Sequence, residues 1–349
     1  MPAMPSEVIL GVDTHADTHT AAVLNAIGEL VAVIEVPATA GGYRRLLSWA
    51  ASHGDVQRAG VEGTGAYGAG LARHLIEAGV CVLEVNRPNR QQRRRHGKSD
   101  TADAIAAARA VLAGVADATP KDSTGLVEAV RVLHLTRRSA VKAKTQAGNQ
   151  IKDLVITAPE AVRNELRSLT TIQRVRKAAS WRPGTIDGPA AATRHAIRTL
   201  ARRWIALHEE IKTTEAQLWP LLRELAPSLL AETGVGLDVA AKLIVAAGQN
   251  PERMRSEASF AALCGTSPVD ASSGKHQRHR LNRGGNRHAN NALHTVVLHR
   301  SRRCPETRAY IDRRRAENKT DREIWRCLKR SLARRFHHLL IQDLAGTLT

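Results

Sequence analysis

Residues 7–14, Glu7-Val8-Ile9-Leu10-Gly11-Val12-Asp13-Thr14, form a short apolar run that ends on a carboxylate. A run of this length bounded by polar residues predicts a strand over Glu7–Val12, closed at Asp13. Two more runs, Thr20–Asn25 and Glu29–Val36, follow across the turn signal Ile27-Gly28, and the three together predict a meander. Downstream the pattern alternates. A helix over Gly42–Ser52 carries Leu46, Leu47 and Trp49, and a strand over Arg58–Glu62 is closed by Gly63-Thr64-Gly65. A helix over Ala69–Ala78, a fifth strand over Val80–Val85 and an alanine-rich helix over Asp100–Ala113 complete the series.

Three meander strands followed by helix, strand, helix, strand, helix is the order of a ribonuclease-H-like α/β domain, a mixed sheet flanked by helices. That fold decides where the acids go. The ends of its first and fourth strands are neighbours, which places Asp13 beside Glu62. Asp100 and Asp103 are three apart on one helical face, and the helix crosses over those strand ends. Hard cations such as magnesium want clustered carboxylate oxygens. Two such ions about 4 Å apart can activate a nucleophile and steady the leaving oxygen of a phosphodiester. Taken singly, each acid also has an ordinary role: an Asp after a strand forms turns, and Asp100 beside Ser99 can cap a helix.

The chain has 349 residues, enough for two domains and connecting helices. Its 52 basic and 33 acidic side chains leave a net charge of +19, which calls for a polyanionic partner. Arg outnumbers Lys by 41 to 11, and the guanidinium fork matches phosphate and guanine, so nucleic acid is the expected partner. Aromatic content of only 3% argues against a single-strand binder built on stacked rings. The charge is unevenly placed: residues 1–120 are nearly neutral, whereas Lys275–Thr349 holds 19 basic and 6 acidic residues. This is the distribution of a chemical domain joined to a nucleic-acid grip. Cys81, Cys264, Cys304 and Cys327 make no CxxC pair, so neither disulfides nor a structural zinc is expected. No apolar stretch approaches the ~18 residues of a membrane span, and Met1–Glu7 lacks the order of a signal peptide, so a cytoplasmic protein is expected.

The expected domains are 1–120, a helical region 121–230, and a mostly α domain 231–349. In the middle, Ile197, Leu200, Trp204, Leu207, Ile211 and Leu218 follow the 3-4 spacing of a coiled-coil seam, which serves either a second subunit or the chain's own domain. Trp181–Pro189 interrupts it as a hairpin tip would. Thr233-Gly234-Val235-Gly236 opens a helix over Val239–Ala247, and a second helix over Ser256–Leu263 leads to Gly265-Thr266-Ser267-Pro268, a helix-hairpin-helix-like arrangement. Next comes a loop from Ser272-Ser273-Gly274-Lys275 to Gly285. Lys275, Arg278, Arg280, Arg283 and Arg287 are its candidate phosphate contacts. His276 or His279 is placed to shuttle protons, although Ser-Ser-Gly by itself is most often a flexible turn.

Gly11-Val12-Asp13-Thr14, Val61-Glu62-Gly63-Thr64-Gly65 and Lys98-Ser99-Asp100-Thr101-Ala102-Asp103-Ala104 resemble the DEDD transposases of the insertion-sequence one-ten family. Gly234-Val235-Gly236, and the stretch from Pro268 through Ser272-Ser273-Gly274 to Gly285-Asn286, extend the resemblance over nearly the whole chain. It implies a RuvC-like N-terminal domain, a coiled-coil bridge and a C-terminal serine domain. It further implies that Asp13, Glu62, Asp100 and Asp103 bind magnesium. Ser273, directly before Gly274, would attack DNA to form a phosphoserine link. A bridge RNA encoded in the element and a homo-oligomer, dimer or tetramer, are the implied partners besides DNA. The chain departs from the family in doubling the serine at Ser272 and in placing Gly63 where a small alanine is common. Two other classes fit the residues: a Holliday-junction-type nuclease that uses metal-bound water and no serine, and a noncatalytic nucleic-acid-binding protein whose acids only cap and turn.

Overall fold

The computed structural model describes residues 6–85, 99–182, 184–273 and 279–346. They fall into two compact units. One runs from the N-terminus to Gly125 and takes in Ala247–Arg255, and the other comprises Leu126–Ala246 and the chain from Ser256 onward.

In the first unit the elements are β1 (Glu7–Thr14), β2 (Thr18–Asn25), β3 (Leu30–Pro37), α1 (Ala40–Ala51), β4 (Asp55–Glu62), α2 (Ala69–Glu77), β5 (Cys81–Val85) and α3 (Asp100–Leu112). The sheet order is β3-β2-β1-β4-β5, with β1 antiparallel to β2 and parallel to β4. This mixed α/β sheet is compatible with the ribonuclease-H-like expectation. β1 is buried on both sides, which explains its unbroken apolar run. Val8, Leu10 and Val12 join the cluster that holds Leu46 of α1 and Leu71 and Leu75 of α2. Ile9 packs instead with Ala108 and Val111 of α3. By the period of two, Gly11 and Asp13 therefore face α3.

Glycine makes this face unusually tight. A Cβ on Gly11 would lie 2.2 Å from the Ala104 carbonyl oxygen, and one on Gly60 would lie 2.7 Å from that of Ala107. The helix answers with small residues, Ala104, Ala107 and Ala108, all buried. The segment Ala247–Arg255 returns to this unit through Asn250, whose side chain accepts from the Asp122 amide at 2.9 Å and donates to the Pro120 carbonyl at 3.0 Å.

The second unit is mostly helical: α4 (Gly125–Thr157), α5 (Glu160–Leu166), α6 (Thr171–Ser180), α7 (Pro189–Leu225), α8 (Pro227–Leu230), α9 (Leu237–Ala247), α10 (Glu257–Leu263), α11 (Arg287–Arg303), α12 (Pro305–Ala316) and α13 (Asp321–Ala345). α4 and α7 lie antiparallel. Arg137 meets Glu215 at 2.7 Å, the Lys144 ammonium stands 5.2 Å over the Trp204 ring, and Gly148 makes room for the indole. Ile197, Ile211 and Leu218 of the seam are buried in this unit, Ile197 among Ile151, Val155, Val162 and Leu166. These three positions of the stripe are thus covered within the chain itself, whereas Leu200, Trp204 and Leu207 are only partly buried. A 3-4 pattern marks a stripe, not whose helix covers it. Among the described residues no helix is long and apolar enough to cross a membrane.

Candidate functional site

The sheet end is built by register. Gly11 pairs with Gly60 and Val12 with Val61. Asp13 and Glu62, each two residues beyond a glycine, therefore emerge on the face that α3 covers. Both are buried, at 5% and 8% exposure, and the Thr14 hydroxyl donates to the Glu62 carbonyl at 2.9 Å, tying the two strand ends together. α3 starts over them. Its N-cap is Ser99, whose hydroxyl accepts from the Ala102 amide at 3.1 Å, so Asp100 does not serve as the cap. Asp100 and Asp103 stand in the first turn, where carboxylates also complement the helix dipole.

His15, just past the end of β1, lies between the acids. Its Nδ1 is 3.7 Å from Asp13 Oδ2 and its Nε2 is 3.9 Å from Asp100 Oδ1. One ligand atom from each of Asp13, His15 and Asp100 lies within 4.8 Å of the other two. Buried Asp13 Oδ2 accepts no hydrogen bond among the described residues. A buried carboxylate oxygen in that state is costly unless a cation meets it, so the trio suits a divalent metal. Glu62 and Asp103 share the face but are not among these three. His15 was missed in the sequence reading; the only signal for it was a ligand-type residue two places beyond Asp13.

The serine stands on a hairpin in the helical unit. β6 (Val269–Asp270) pairs with β7 (His279–Arg280), with Val269 opposite Arg280 and Asp270 opposite His279. Its base is narrow: a Cβ on Gly285, at φ +81°, would lie 2.6 Å from the Gly265 amide nitrogen. Asn290 donates to the carbonyls of Cys264 at 2.8 Å and Gly265 at 3.1 Å, and Asn282 donates to the Ser267 hydroxyl at 2.8 Å. Ser272 donates from both its amide and its hydroxyl to Asp270. Those bonds hold the Asp270 carboxyl below its usual range. Ser273 is exposed. Arg280, Arg283 and Arg287 are exposed too, and none pairs with a carboxylate among the described residues. Lys275 and Arg278, with Gly274 and His276, lie outside the described residues.

Residues 10–158 match a family model described as a transposase, the DEDD type of IS110. Residues 227–312 match the transposase IS116/IS110/IS902 family. The first match contains all four acids, and the second contains the hairpin. A curated relative, the insertion element IS110 uncharacterized 43.6 kDa protein of Streptomyces coelicolor, is 35% identical over 128 residues. That likeness covers 36% of this chain and 31% of the relative, so the chain spans about a third of that protein's length. The stretch that holds the four acids and the stretch that holds the serine hairpin thus each match a model of an IS110-family transposase domain.

Proposed function

We propose that the chain is the enzyme of an insertion sequence, cutting and rejoining DNA by transesterification at phosphorus. The sheet unit is read as RuvC-like, with Asp13, Glu62, Asp100 and Asp103 as a magnesium site and His15 at its edge. The observation that carries this reading is the buried Asp13 oxygen, without a hydrogen bond among the described residues and beside Asp100 and His15. When bound, magnesium supplies charge to polarise a phosphate and steady a leaving oxygen.

The nucleophile is Ser273. Its neighbour Ser272 is committed to Asp270, to which it donates from both its amide and its hydroxyl, and this makes Ser272 a turn residue. The Ser273 oxygen forms a bond to phosphorus while one phosphorus–oxygen bond to sugar breaks. His279, opposite Asp270 on the hairpin, takes the serine proton and returns it to the departing sugar oxygen. Arg280, Arg283 and Arg287, with Lys275 and Arg278, neutralise the phosphates. The partners in this reading are DNA, a guide (bridge) RNA and further copies of the chain. A coiled-coil role for α4 and α7 and a helix-hairpin-helix role for α9 and α10 complete it.

The test is an adduct assay on DNA carrying the element's own flanks, with magnesium. The wild-type chain gives a denaturant-resistant protein–DNA adduct, Ser273→Ala gives none, and Ser272→Ala retains it. Asp13→Asn abolishes cleavage and leaves DNA affinity nearly intact. Metal-dependent cleavage with no adduct in the wild type would overturn the serine chemistry in favour of a junction-type nuclease. Binding without any cleavage would favour the noncatalytic reading.

A further inference from the structure

A groove of about 730 Å³ lies in the helical unit. One wall is formed by both limbs of the serine hairpin, 265–268 and 279–282, and the other by α12, α13 and the turn between them. The lining is strongly cationic: Arg280, Arg314, Lys319, Arg326, Lys329 and Arg330. Glu323 is its single acid, and that carboxylate is occupied in capping α13, accepting from the Thr320 amide at 2.9 Å and hydroxyl at 2.7 Å. Arg314 is paired with Glu317. The other five cations form no ion pair among the described residues.

Two of them are fixtures of the fold. Lys329 is buried, at 8% exposure, and its ammonium donates to Asn290 Oδ1 at 3.0 Å. Asn290 is the same residue that clamps the hairpin base, so the amine is tied to the arm that carries Ser273. Burial, and then the charge of Arg326, push the Lys329 amine below its usual range, as expected of a cation lacking a counter-ion. Arg330 holds a buried guanidinium nitrogen, Nη1, that has no hydrogen-bond partner among the described residues. Placing two such donors in one groove is costly unless an anion completes them.

We propose that this groove is a seat for the phosphodiester backbone of a nucleic-acid strand, with Lys329 and Arg330 as fixed contacts on one side and Arg280 on the hairpin side. The choice of a polymer over a single anion follows from extent. Unpaired cations line both walls, and one wall is the serine arm, so a strand in the groove is led along the arm toward Ser273. The proposal rests on the reading of the chain as a DNA-acting enzyme, but its test needs no chemistry.

The full-length chain is titrated against labelled random-sequence duplex DNA and labelled random-sequence single-stranded RNA, without divalent metal, over a range of salt. Arg326→Gln with Arg330→Gln removes two groove cations, and Arg280→Gln removes one from the opposite wall. Lys329→Met tests the buried amine, with thermal melts to verify folding; if it unfolds, the Arg326 and Arg330 pair carries the result. Arg202→Gln with Arg203→Gln, exposed on α7, is the charge-matched control. Each groove cation removed should lower the salt slope by about one and weaken binding at about 0.1 M salt by roughly tenfold, on DNA, RNA or both. The probe that is affected identifies the strand. If wild-type binding is strong and the groove variants match the control, the groove proposal fails while the functional reading stands. If the wild-type chain binds neither probe, both fail.

Discussion

Adding one methyl group at Gly11 should damage the proposed metal site by pushing away the helix that covers the same face of the sheet. The ideal Cβ at this position would lie 2.2 Å from the Ala104 carbonyl oxygen, 2.3 Å from the Ala108 amide nitrogen and 2.7 Å from the Ala108 Cβ. Two of these atoms belong to the backbone of α3, so no side chain can swing aside. Ordinary contact begins near 3.4 Å, so α3 must retreat by about 1.2 Å, the difference from 2.2 Å. Overpacking of this kind costs about 1–3 kcal/mol, which for a unit of this size is a fall of several degrees in Tm. The functional loss should be larger, because α3 carries Asp100 and Asp103 while Asp13 stays on β1. A misplacement of about 1 Å between catalytic groups typically costs on the order of a hundredfold in rate. The assays are a thermal melt and magnesium-dependent strand cleavage by Gly11→Ala. Gly65→Ala is the control, since a Cβ there would meet nothing within 4 Å. Wild-type Tm and cleavage in Gly11→Ala would refute the close approach of helix and sheet, and with it the placement of Asp100 over Asp13.

Two further outcomes follow from other parts of the molecule. Burial alone would raise the Asp238 carboxyl, but hydrogen bonds from His134 at 3.0 Å and Lys242 at 2.5 Å outweigh it and hold the group far below the usual carboxylate range. The stability it contributes is therefore present above the unfolded value near pH 4 and disappears as the pH falls further. The Tm gap between wild type and Asp238→Asn should be full at neutral pH and narrow below about pH 4; a gap that is constant down to pH 3 would contradict this. Burial pushes the Cys264 thiol up to about 12, whereas Cys81 and Cys327 are exposed. Maleimide labelling of the native chain at neutral pH should modify Cys81 and Cys327 and reach Cys264 only after denaturation, as read by peptide mass; native labelling of Cys264 would contradict the packing around it.

Much of the sheet unit was legible because its signals are local. A strand buried on both faces reads as an unbroken apolar run, and Glu7–Thr14 and Thr18–Asn25 are of that kind. The acids were legible as strand-end residues and as an i, i+3 pair in a first helical turn. What escaped depends on contacts distant in sequence. The β6–β7 hairpin has strands of two residues, too short for any alternation to register. Asn290 looks like one more polar residue on α11, and its role appears only when the carbonyls of Cys264 and Gly265 and the amine of Lys329 converge on it. The return of Asn250 to Pro120 spans 130 positions and leaves no trace in local pattern. The seam of α7 was visible as a stripe, but the identity of its partner was not, because spacing carries no address.

The excursion of Ala247–Arg255 back to the sheet unit makes that unit discontinuous along the gene. A stop codon falling anywhere before Ala247 removes the clasp that Asn250 lays over the segment 120–122, so the encoded fragment lacks a piece of the sheet unit as well as the end of the helical one. Conversely, a single proteolytic nick within the helical unit before residue 247 leaves all three crossings of the chain between the units uncut. Neither half is therefore a separable cassette that deletion could release intact, and frameshifted copies of such a gene would be expected to yield inert products rather than free, partly functional inhibitors of the full-length protein.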